Sequence, residues 1–227
     1  MDNRRRLLMK ALNSSDVPTV PDTSDGTLPY LEADGLSYVD TDIAFSSKFA
    51  IINVLYGKEP NSTSTGNIFT FHNGDANLCM VAVNGVTGLA SRRPSSSGTQ
   101  VIVEHDKNSN IEAASYIIIT LYMNKSQGYG SYFSTFTTPL DTETVPYGTE
   151  RCYMNYLETP ANYTDPTCMR ILGNRLGAPA PSGIKFCRAT IENDGGKLLH
   201  DLVPVKLDGQ LGIKDKITGK FFPFITH

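Results

Sequence analysis

Residues 183–224 read GIKFCRATIENDGGKLLHDLVPVKLDGQLGIKDKITGKFFPF, and this stretch decides the fold. Its first half predicts a β-hairpin, because β-forming residues fill 184–191 and 198–207 on either side of the turn sequence Asn-Asp-Gly-Gly at 193–196. The dipeptide Asp-Gly at 208–209 predicts a second tight turn into another short apolar run. The stretch therefore predicts a β-meander that closes a sheet protein.

Pro204 interrupts the second of these predicted strands. Because proline has no backbone N–H, it cannot donate to a ladder and is found at sheet edges, at bulges and at strand ends. We therefore expect strand 198–207 to lie at an edge, to contain a bulge or to end near Pro204.

The composition predicts one large all-β domain. At 227 residues the chain can bury a sizeable core without staples. Helix-forming residues are sparse after residue 12, and Thr, Ser, Tyr, Ile, Val and Gly dominate, which favours a sandwich or a barrel. The net charge of −3 is too small to indicate nucleic acid as a partner. The sequence has no apolar run of about 18 residues that would predict insertion into a membrane.

The first 27 residues differ from the rest of the chain in charge. Residues 1–12 contain four basic residues and one acidic residue, a side-chain charge of +3, and their leucines share one face of a helical projection. Residues 13–27 form a Ser/Asp/Pro/Gly linker whose prolines hold it extended. We interpret 1–27 as a helical or extended basic arm with its linker, ahead of one domain at 28–227. A frayed terminus is the alternative to an arm that docks on another protein. The docking residues that we expect are Arg4, Arg5, Arg6, Leu7, Leu8 and Leu12.

Strand-like runs separated by Gly, Asn, Ser and Pro follow one another through the body. They cover residues 28–32, 37–41, 49–56, 67–72, 78–84, 100–104, 116–123 and 132–137. The run 117–123 is the most apolar and predicts a central core strand. We interpret 91–99 as an exposed turn, and 125–183 as loops and short strands over one face.

Two stretches resemble a known family. Residues 30–43, YLEADGLSYVDTDI, resemble the opening of laminin-G-like, concanavalin A-type jelly-roll proteins of bacteriophages and gut bacteria. Residues 188–205 and 208–222 resemble the hairpin and the ending of the same family. The matching stretches lie at both ends of the body, as expected if its first and last strands meet in one sheet. The sequence departs from the family pattern at Asp42, His200 and Lys214, where the family has Gly, Arg and an aromatic residue.

The resemblance implies an antiparallel jelly-roll β-sandwich that works in attachment. Members of the family are often virion components, such as head or tail fibres and capsid decoration proteins, or surface adhesins. The resemblance therefore implies a non-enzymatic structural protein of a bacteriophage virion, assembled in the host cytoplasm as a homo-oligomer. Its arm would bind other virion proteins, and its jelly roll would face a partner or a host glycan. The alternative is a carbohydrate-binding surface lectin of a gut bacterium.

The sequence lacks the residue patterns of the enzymes that this fold would favour. A retaining glycoside hydrolase needs two carboxylates about 5 to 5.5 Å apart, which jelly-roll glucanases supply from an E-x-D-x-x-E strand. Glu32 with Asp34, and Glu104 with Asp106, each lack the third carboxylate. No G-x-S-x-G motif or P-loop is present in the sequence, and its four histidines are scattered. Spacing alone leaves a Cys/His nucleophile open. We expect no enzymatic activity, with a glycoside hydrolase as the enzyme alternative.

No cofactor is predicted. Residues 106–112 place oxygen donors at alternate positions, but Ile111 and Ile117 stand where an EF-hand loop needs glycine and glutamate. A polar hairpin turn explains this pattern, and a calcium ion bound in another geometry stays open. The cysteines have neither the spacing of a zinc site nor the density of a disulfide scaffold, and could be buried, paired or reactive. They are Cys79, Cys152, Cys168 and Cys187.

Tyrosines crowd the irregular region together with amide side chains. Aromatic rings can stack on sugar rings and amides can bond hydroxyls, so this region predicts a glycan-binding or partner-binding surface; ordinary packing is the alternative. The residues predicted for it are Tyr129, Tyr132, Tyr147, Tyr153, Tyr156, Asn162 and Tyr163.

Overall fold

The computed structural model describes most of the chain from residue 26 onwards. The described residues are 26–46, 48–60, 65–72, 77–84, 88–94, 100–105, 115–124, 128–136, 153–156, 168–174 and 176–226. Within them, side chains are described in 26–72, 115–121 and 168–226. The predicted arm at 1–12 and the loop at 106–112 lie outside the described residues.

Every regular element among the described residues is a β-strand. The sixteen strands are β1 (Gly26–Thr27), β2 (Leu31–Glu32), β3 (Ser37–Asp40), β4 (Phe49–Gly57), β5 (Gly66–His72), β6 (Asn77–Asn84), β7 (Gly88–Pro94), β8 (Gln100–His105), β9 (Tyr116–Asn124), β10 (Gly128–Phe136), β11 (Tyr153–Tyr156), β12 (Cys168–Ile171), β13 (Lys185–Asn193), β14 (Leu198–Leu207), β15 (Gln210–Asp215) and β16 (Phe221–Thr226). In this part of the chain no helix has the length and apolar character needed to cross a bilayer.

The strands form an antiparallel jelly-roll β-sandwich, as the sequence predicted. The first sheet has the order β11-β10-β9-β4-β13-β14-β15-β16, and the second has the order β16-β3-β12-β5-β6-β7-β8. Strand β16 belongs to both, because Pro223 and the two residues before it pair with β15, whereas Phe224 and the two residues after it pair with β3. The last strand of the chain therefore joins the two sheets.

The predicted C-terminal meander is confirmed. Strands β13, β14 and β15 pair in sequence, with Ala189 opposite Leu202 and Pro204 opposite Ile213. The turn between β14 and β15 has positive φ angles at Asp208 (51°) and Gly209 (77°). Positive φ at both central residues is the geometry of a type I′ turn, which explains why the sequence has Asp-Gly here.

The two ends of the body meet, as the family resemblance implied. Strand β1 pairs with β14, β2 pairs with β13, and β3 pairs with β16. Gly26 and Thr27, assigned to the linker from the sequence, are the residues of β1. Where β13 and β14 no longer pair with each other, β1 pairs with β14 and β2 pairs with β13.

Pro204 lies inside β14, between two neighbouring strands, and so the predicted edge position is wrong. On one side Pro204 is opposite Ile213 of β15. On the other side its carbonyl accepts the Leu28 N–H at 2.9 Å, just where β1 replaces β13 as the neighbour of β14. The N–H and C=O of one strand residue point to the same side, so the missing donor faces this change of neighbour, where the ladder is already interrupted.

The region before the meander is more regular than predicted. Residues 91–94, expected in an exposed turn, belong to β7, which pairs with both β6 and β8. Within 125–183, expected to be loops and short strands over one face, β10 is nine residues long and β12 lies inside the second sheet between β3 and β5. Strand β12 has only four residues, too few for a periodic pattern to show. Its place in the sheet depends on pairing with neighbouring strands, which the local sequence does not reveal.

The core lies between the two sheets. Phe69 and Phe71 of β5 contact each other edge-to-face with ring centroids 5.4 Å apart, and both are fully buried. From the first sheet, Ile117 and Ile119 of β9 are fully buried in the same cluster, which confirms the predicted core strand.

Candidate binding face of the first sheet

The first sheet has a second buried face besides the one that lines the core. In β4, Ile52, Val54 and Tyr56 belong to the core cluster. Side chains alternate along a strand, so Asn53 and Leu55 point to the opposite face, where both are also buried. We call this opposite side of the first sheet the ladder face.

Three polar side chains cross the ladder face in one hydrogen-bonded row. The Thr120 hydroxyl of β9 donates to Asn53 Oδ1 at 2.8 Å, and Asn53 Nδ2 donates to the Thr190 hydroxyl of β13 at 3.1 Å. Asn53 is directly opposite Thr120 on one side and Thr190 on the other, so strand register alone brings the three together. We call Thr120, Asn53 and Thr190 the polar ladder.

An ion pair extends the polar ladder towards β14. Asp201 is directly opposite Thr190 and holds Arg188 through two bonds, from Nε to Oδ1 and from an Nη to Oδ2, each 2.8 Å long. This fork geometry fixes the guanidinium plane. The Arg188 side chain keeps 19% of its surface exposed, while Asp201 holds it in place.

The structure places four of the predicted tyrosines in strands β10 and β11. Tyr132 is directly opposite Thr120, so it stands in the row of the polar ladder. Tyr129 is opposite both Met123 and Tyr156, in a different row, and Tyr153 is opposite Ser131. Tyr147, Asn162 and Tyr163 lie outside the described residues. Strand register thus places Tyr129 opposite Tyr156 and places Tyr132 in the row of the polar ladder. A binding role for these tyrosines stays a prediction.

Sequence reasoning missed the polar ladder. Its signal is a polar residue in the middle of an apolar strand: Asn53 within IINVL, Thr120 within IIITL and Thr190 within ATI. A buried amide in such a run needs a partner, and the cross-strand neighbour is the nearest source. The register that identifies those partners joins segments far apart in sequence, so no single run could predict it.

Asp34, one of the carboxylates considered for catalysis, has a structural role. Asp34 accepts the N–H groups of Leu36 and Ser37 at 2.8 and 2.7 Å, and the Ser37 hydroxyl at 2.7 Å. Burial raises the pKa of Asp34, but these hydrogen bonds outweigh burial and leave the pKa below its ordinary value. Asp34 therefore closes the turn before β3 as a carboxylate and is poorly suited to act as an acid.

One Cys/His pair does come together, on the second sheet. Cys168 of β12 is directly opposite His72 of β5, and its Sγ lies 3.3 Å from His72 Nε2. Burial, and then the charge of Asp40, raise the pKa of the Cys168 thiol above its ordinary value, although Arg170 opposes them. A nucleophilic cysteine needs the opposite shift, so this pair does not have the electrostatics of a catalytic dyad.

Neither a metal site nor a reactive thiol is found among the side chains that the structure describes. The residues that the structure describes include no group of three or more His, Cys, Asp or Glu side chains placed to hold a metal ion. Cys187, the other cysteine whose side chain the structure describes, is free, and burial raises the pKa of its thiol to about 12.

Comparison with known proteins gives structural likeness alone. No protein-family model matches the chain, and no curated protein matches its sequence. Two similar solved structures are the CBM40 of a Ruminococcus gnavus IT-sialidase bound to α2,3- and to α2,6-sialyllactose, with TM-scores of 0.46, identities of 9% and 13%, and coverage of 74% of this chain and 90% and 91% of theirs. A Scytalido-glutamic peptidase matches with a TM-score of 0.39 at 10% identity, over 86% of this chain and all of its own. Likenesses this distant carry no argument about ligand or chemistry.

Proposed function

We propose that this chain is a non-enzymatic attachment protein whose jelly roll binds carbohydrate on the ladder face. The observation that carries the proposal is the polar ladder, a hydrogen-bonded row of two hydroxyls and one amide on the side of the first sheet that does not line the core. Asn53 and Thr190 are buried and bonded to each other, so the partly exposed Thr120 hydroxyl is the group of the ladder that a sugar hydroxyl can reach. A hydroxyl can both donate and accept, which suits such a contact.

Rigidity favours binding by this row. Asn53 lies in a strand paired on both sides, and both partners of its amide group are fixed by register. Groups held in place before binding lose little entropy when a ligand arrives. Leu55 and Ile118, which are opposite each other on the same face, are buried beside the polar row and keep it rigid.

The row of the polar ladder favours binding over catalysis. Its carboxylate at Asp201 already holds Arg188 with both oxygens. A glycoside hydrolase needs one carboxyl group free to give up a proton and a second to act as nucleophile or base. We therefore propose that Asp201 orients Arg188 and takes no part in a reaction.

The ladder predicts a loss of affinity when Thr120 is replaced by valine. The substitution keeps the shape but removes the hydroxyl that donates to Asn53 Oδ1, so the amide loses its fixed orientation. One hydrogen bond contributes about 0.5–1.5 kcal/mol, so we expect the Kd for a glycan identified on an array to rise about three- to tenfold. Titration calorimetry with that glycan measures the change.

The matched control is Thr27→Val, because Thr27 is exposed in β1. It makes the same chemical change away from the polar ladder and should leave the Kd within the error of the titration. An unchanged Kd for Thr120→Val, in a variant that melts like the wild type, would show that the ladder does not bind the ligand.

We further propose that the setting of this attachment is a bacteriophage virion, where the arm anchors the protein and the jelly roll faces outward as a homo-oligomer. The support is the family resemblance together with the +3 charge and the leucine face of residues 1–12. The alternative setting, the surface of a gut bacterium, uses the same ladder face and differs in what holds the protein.

Deletion of residues 1–12 tests the anchor. We expect purified phage particles assembled with the shortened chain to lose the protein, because the cationic, leucine-bearing segment is what binds the particle, whereas the released chain stays folded and binds glycan. Quantitative mass spectrometry of washed particles measures the copy number. Replacing Asn13 and Ser14 by alanine in the linker is the control. Full retention of the shortened chain on particles would rule out anchoring by this segment.

A further inference from the structure

The ladder face ends in a cluster of aromatic and charged side chains. Tyr116, Gly57, Lys185 and Glu32 lie directly opposite one another along a row that runs through β9, β4, β13 and β2. In β4, Gly57 follows Asn53 by four residues and so faces the same side of the sheet, which places this row on the ladder face. We call the group formed by Tyr30, Glu32, Glu59, Tyr116 and Lys185 the tyrosine–lysine cluster.

Lys185 stands at the centre of this cluster. Its Nζ lies 5.0 Å from the ring centroid of Tyr30, within the range of a cation–π contact, and 3.6 Å from Glu59 Oε1. Burial lowers the pKa of Lys185, but the nearby Glu32, Tyr30 and Glu59 outweigh burial and raise the pKa above its ordinary value. The ammonium group is therefore held in its charged form by side chains of the protein itself.

Tyr116 covers the glycine of the row. A Cβ at Gly57 would stand 3.1 Å from Tyr116 Cε1 and 3.3 Å from Lys185 Cβ, so the ring uses space that is open because residue 57 has no side chain. Tyr116 remains partly exposed. The sheet thus supports an aromatic ring with one part packed on the backbone and another in contact with solvent.

The charges of the cluster do not balance. Lys185 is opposed by two exposed carboxylates, Glu32 and Glu59, so the cluster carries one net negative charge when all three are ionised. An anionic sugar that approached Lys185 would meet Glu59, whose Oε1 lies 3.6 Å from Nζ, and would lie beside two like charges. Like charges placed side by side disfavour binding and suppress wrong partners.

We propose that the tyrosine–lysine cluster is a subsite of the carbohydrate-binding face, in which an uncharged sugar ring stacks on Tyr116 and anionic sugars are rejected. This inference rests on the proposed function. It assigns the class of ligand, a neutral glycan, and the residues that select it. Lys185 holds Tyr30 and Glu59 in place, and Glu32 and Glu59 repel a carboxylate or a sulfate.

Matched pairs of glycans test the selectivity. The probes are uncharged oligosaccharides, each printed beside its sialylated or sulfated derivative, applied to the wild-type chain and to a Glu32→Gln/Glu59→Gln variant. We expect the wild type to bind the uncharged member at least tenfold more tightly, and the double variant to narrow that ratio about tenfold. Equal or tighter binding of the charged member by the wild type would overturn the inference.

Substitutions of Tyr116 test the stacking. Tyr116→Phe keeps the ring and should bind like the wild type, whereas Tyr116→Ala should weaken the uncharged glycan about tenfold in a chain that is still folded at the temperature of the assay. Loss of affinity in Thr120→Val without loss in Tyr116→Ala would retain the proposed function and reject the subsite. Binding of no glycan by the wild type would reject both, and tight binding of a quaternary ammonium probe would assign the cluster to cationic ligands instead.

Discussion

Replacing Asp215 by alanine is expected to lower the free energy of unfolding by about 3 kcal/mol or more, which is a large part of the stability of a single domain. Asp215 is fully buried and receives four hydrogen bonds. The donors are His200 Nδ1 at 2.9 Å, the Asp201 N–H at 3.1 Å, the Ile217 N–H at 3.0 Å and the Thr218 hydroxyl at 2.8 Å. Alanine leaves the N–H of the buried Asp201 and the partly buried His200 without this acceptor, whereas the exposed Ile217 and Thr218 can bond water instead. Urea unfolding followed by circular dichroism measures the loss.

Asp42→Ala is the matched control for Asp215→Ala. Asp42 also forms an ion pair, with Lys220, but both side chains are more than half exposed. Exposed pairs contribute little, so we expect a loss below about 1 kcal/mol. Equal losses for the two variants would mean that the buried network around Asp215 is not what stabilises the end of β15.

The Asp215 network also predicts how stability depends on pH. Burial raises the pKa of Asp215, but the bonds from His200, Asp201, Thr218 and Ile217 outweigh burial and hold the pKa below its ordinary value. A carboxylate with a depressed folded-state pKa contributes its full stability above the unfolded-state pKa, about 3.9, and loses it as pH falls through the folded-state value. Unfolding curves should therefore show a steeper loss below about pH 4 in the wild type than in Asp215→Ala.

Gly212→Ala is expected to give the second large loss, about 3 kcal/mol, because the added atom has no space. A Cβ at residue 212 would stand 2.3 Å from the carbonyl oxygen of Phe222 and 2.6 Å from Phe221 Cε2. Gly212 pairs with Pro223, so the methyl group pushes β16 away from β15. Since β16 belongs to both sheets, the displacement acts on the closure of the sandwich and should also expose core surface to a hydrophobic dye.

Gly195→Ala is the control for the second prediction. Gly195 lies in the exposed turn between β13 and β14, and the nearest atom to its Cβ position is Asn193 Oδ1 at 3.4 Å, an ordinary contact. We expect its free energy of unfolding to stay within about 0.5 kcal/mol of the wild type. A Gly212→Ala variant as stable as Gly195→Ala would show that β16 is free to shift and does not close the fold rigidly.

The fold class could be predicted because local signals agreed with one another. Asp-Gly at 208–209 forms the type I′ turn that its residues favour, and the apolar run at 117–123 lies in the core strand β9. The wrong prediction of an edge position for Pro204 has a physical cause. The expectation was based on the missing N–H of proline, and the sequence does not show which neighbouring strand lies on that side. Only the change of neighbour from β13 to β1 shows why proline is tolerated inside β14.

The candidate site could not be predicted in the same way. The tyrosines were chosen for density along the chain, whereas register places Tyr132 in the ladder row and Tyr129 in another. Asn53 and Thr190 are separated by 137 positions and meet through one side-chain hydrogen bond. Residues that form a surface by cross-strand pairing leave no common pattern in any one segment.

The sequence by itself determined an antiparallel all-β domain, because turn residues and strand periodicity act over a few neighbours. The family resemblance added that the two ends of the body meet. The tertiary structure alone decided which polar side chains share a face, which carboxylate is buried at Asp215, and where Lys185 meets Glu59. These depend on the register between distant strands, and a shift of one residue would turn every one of those side chains to the other face.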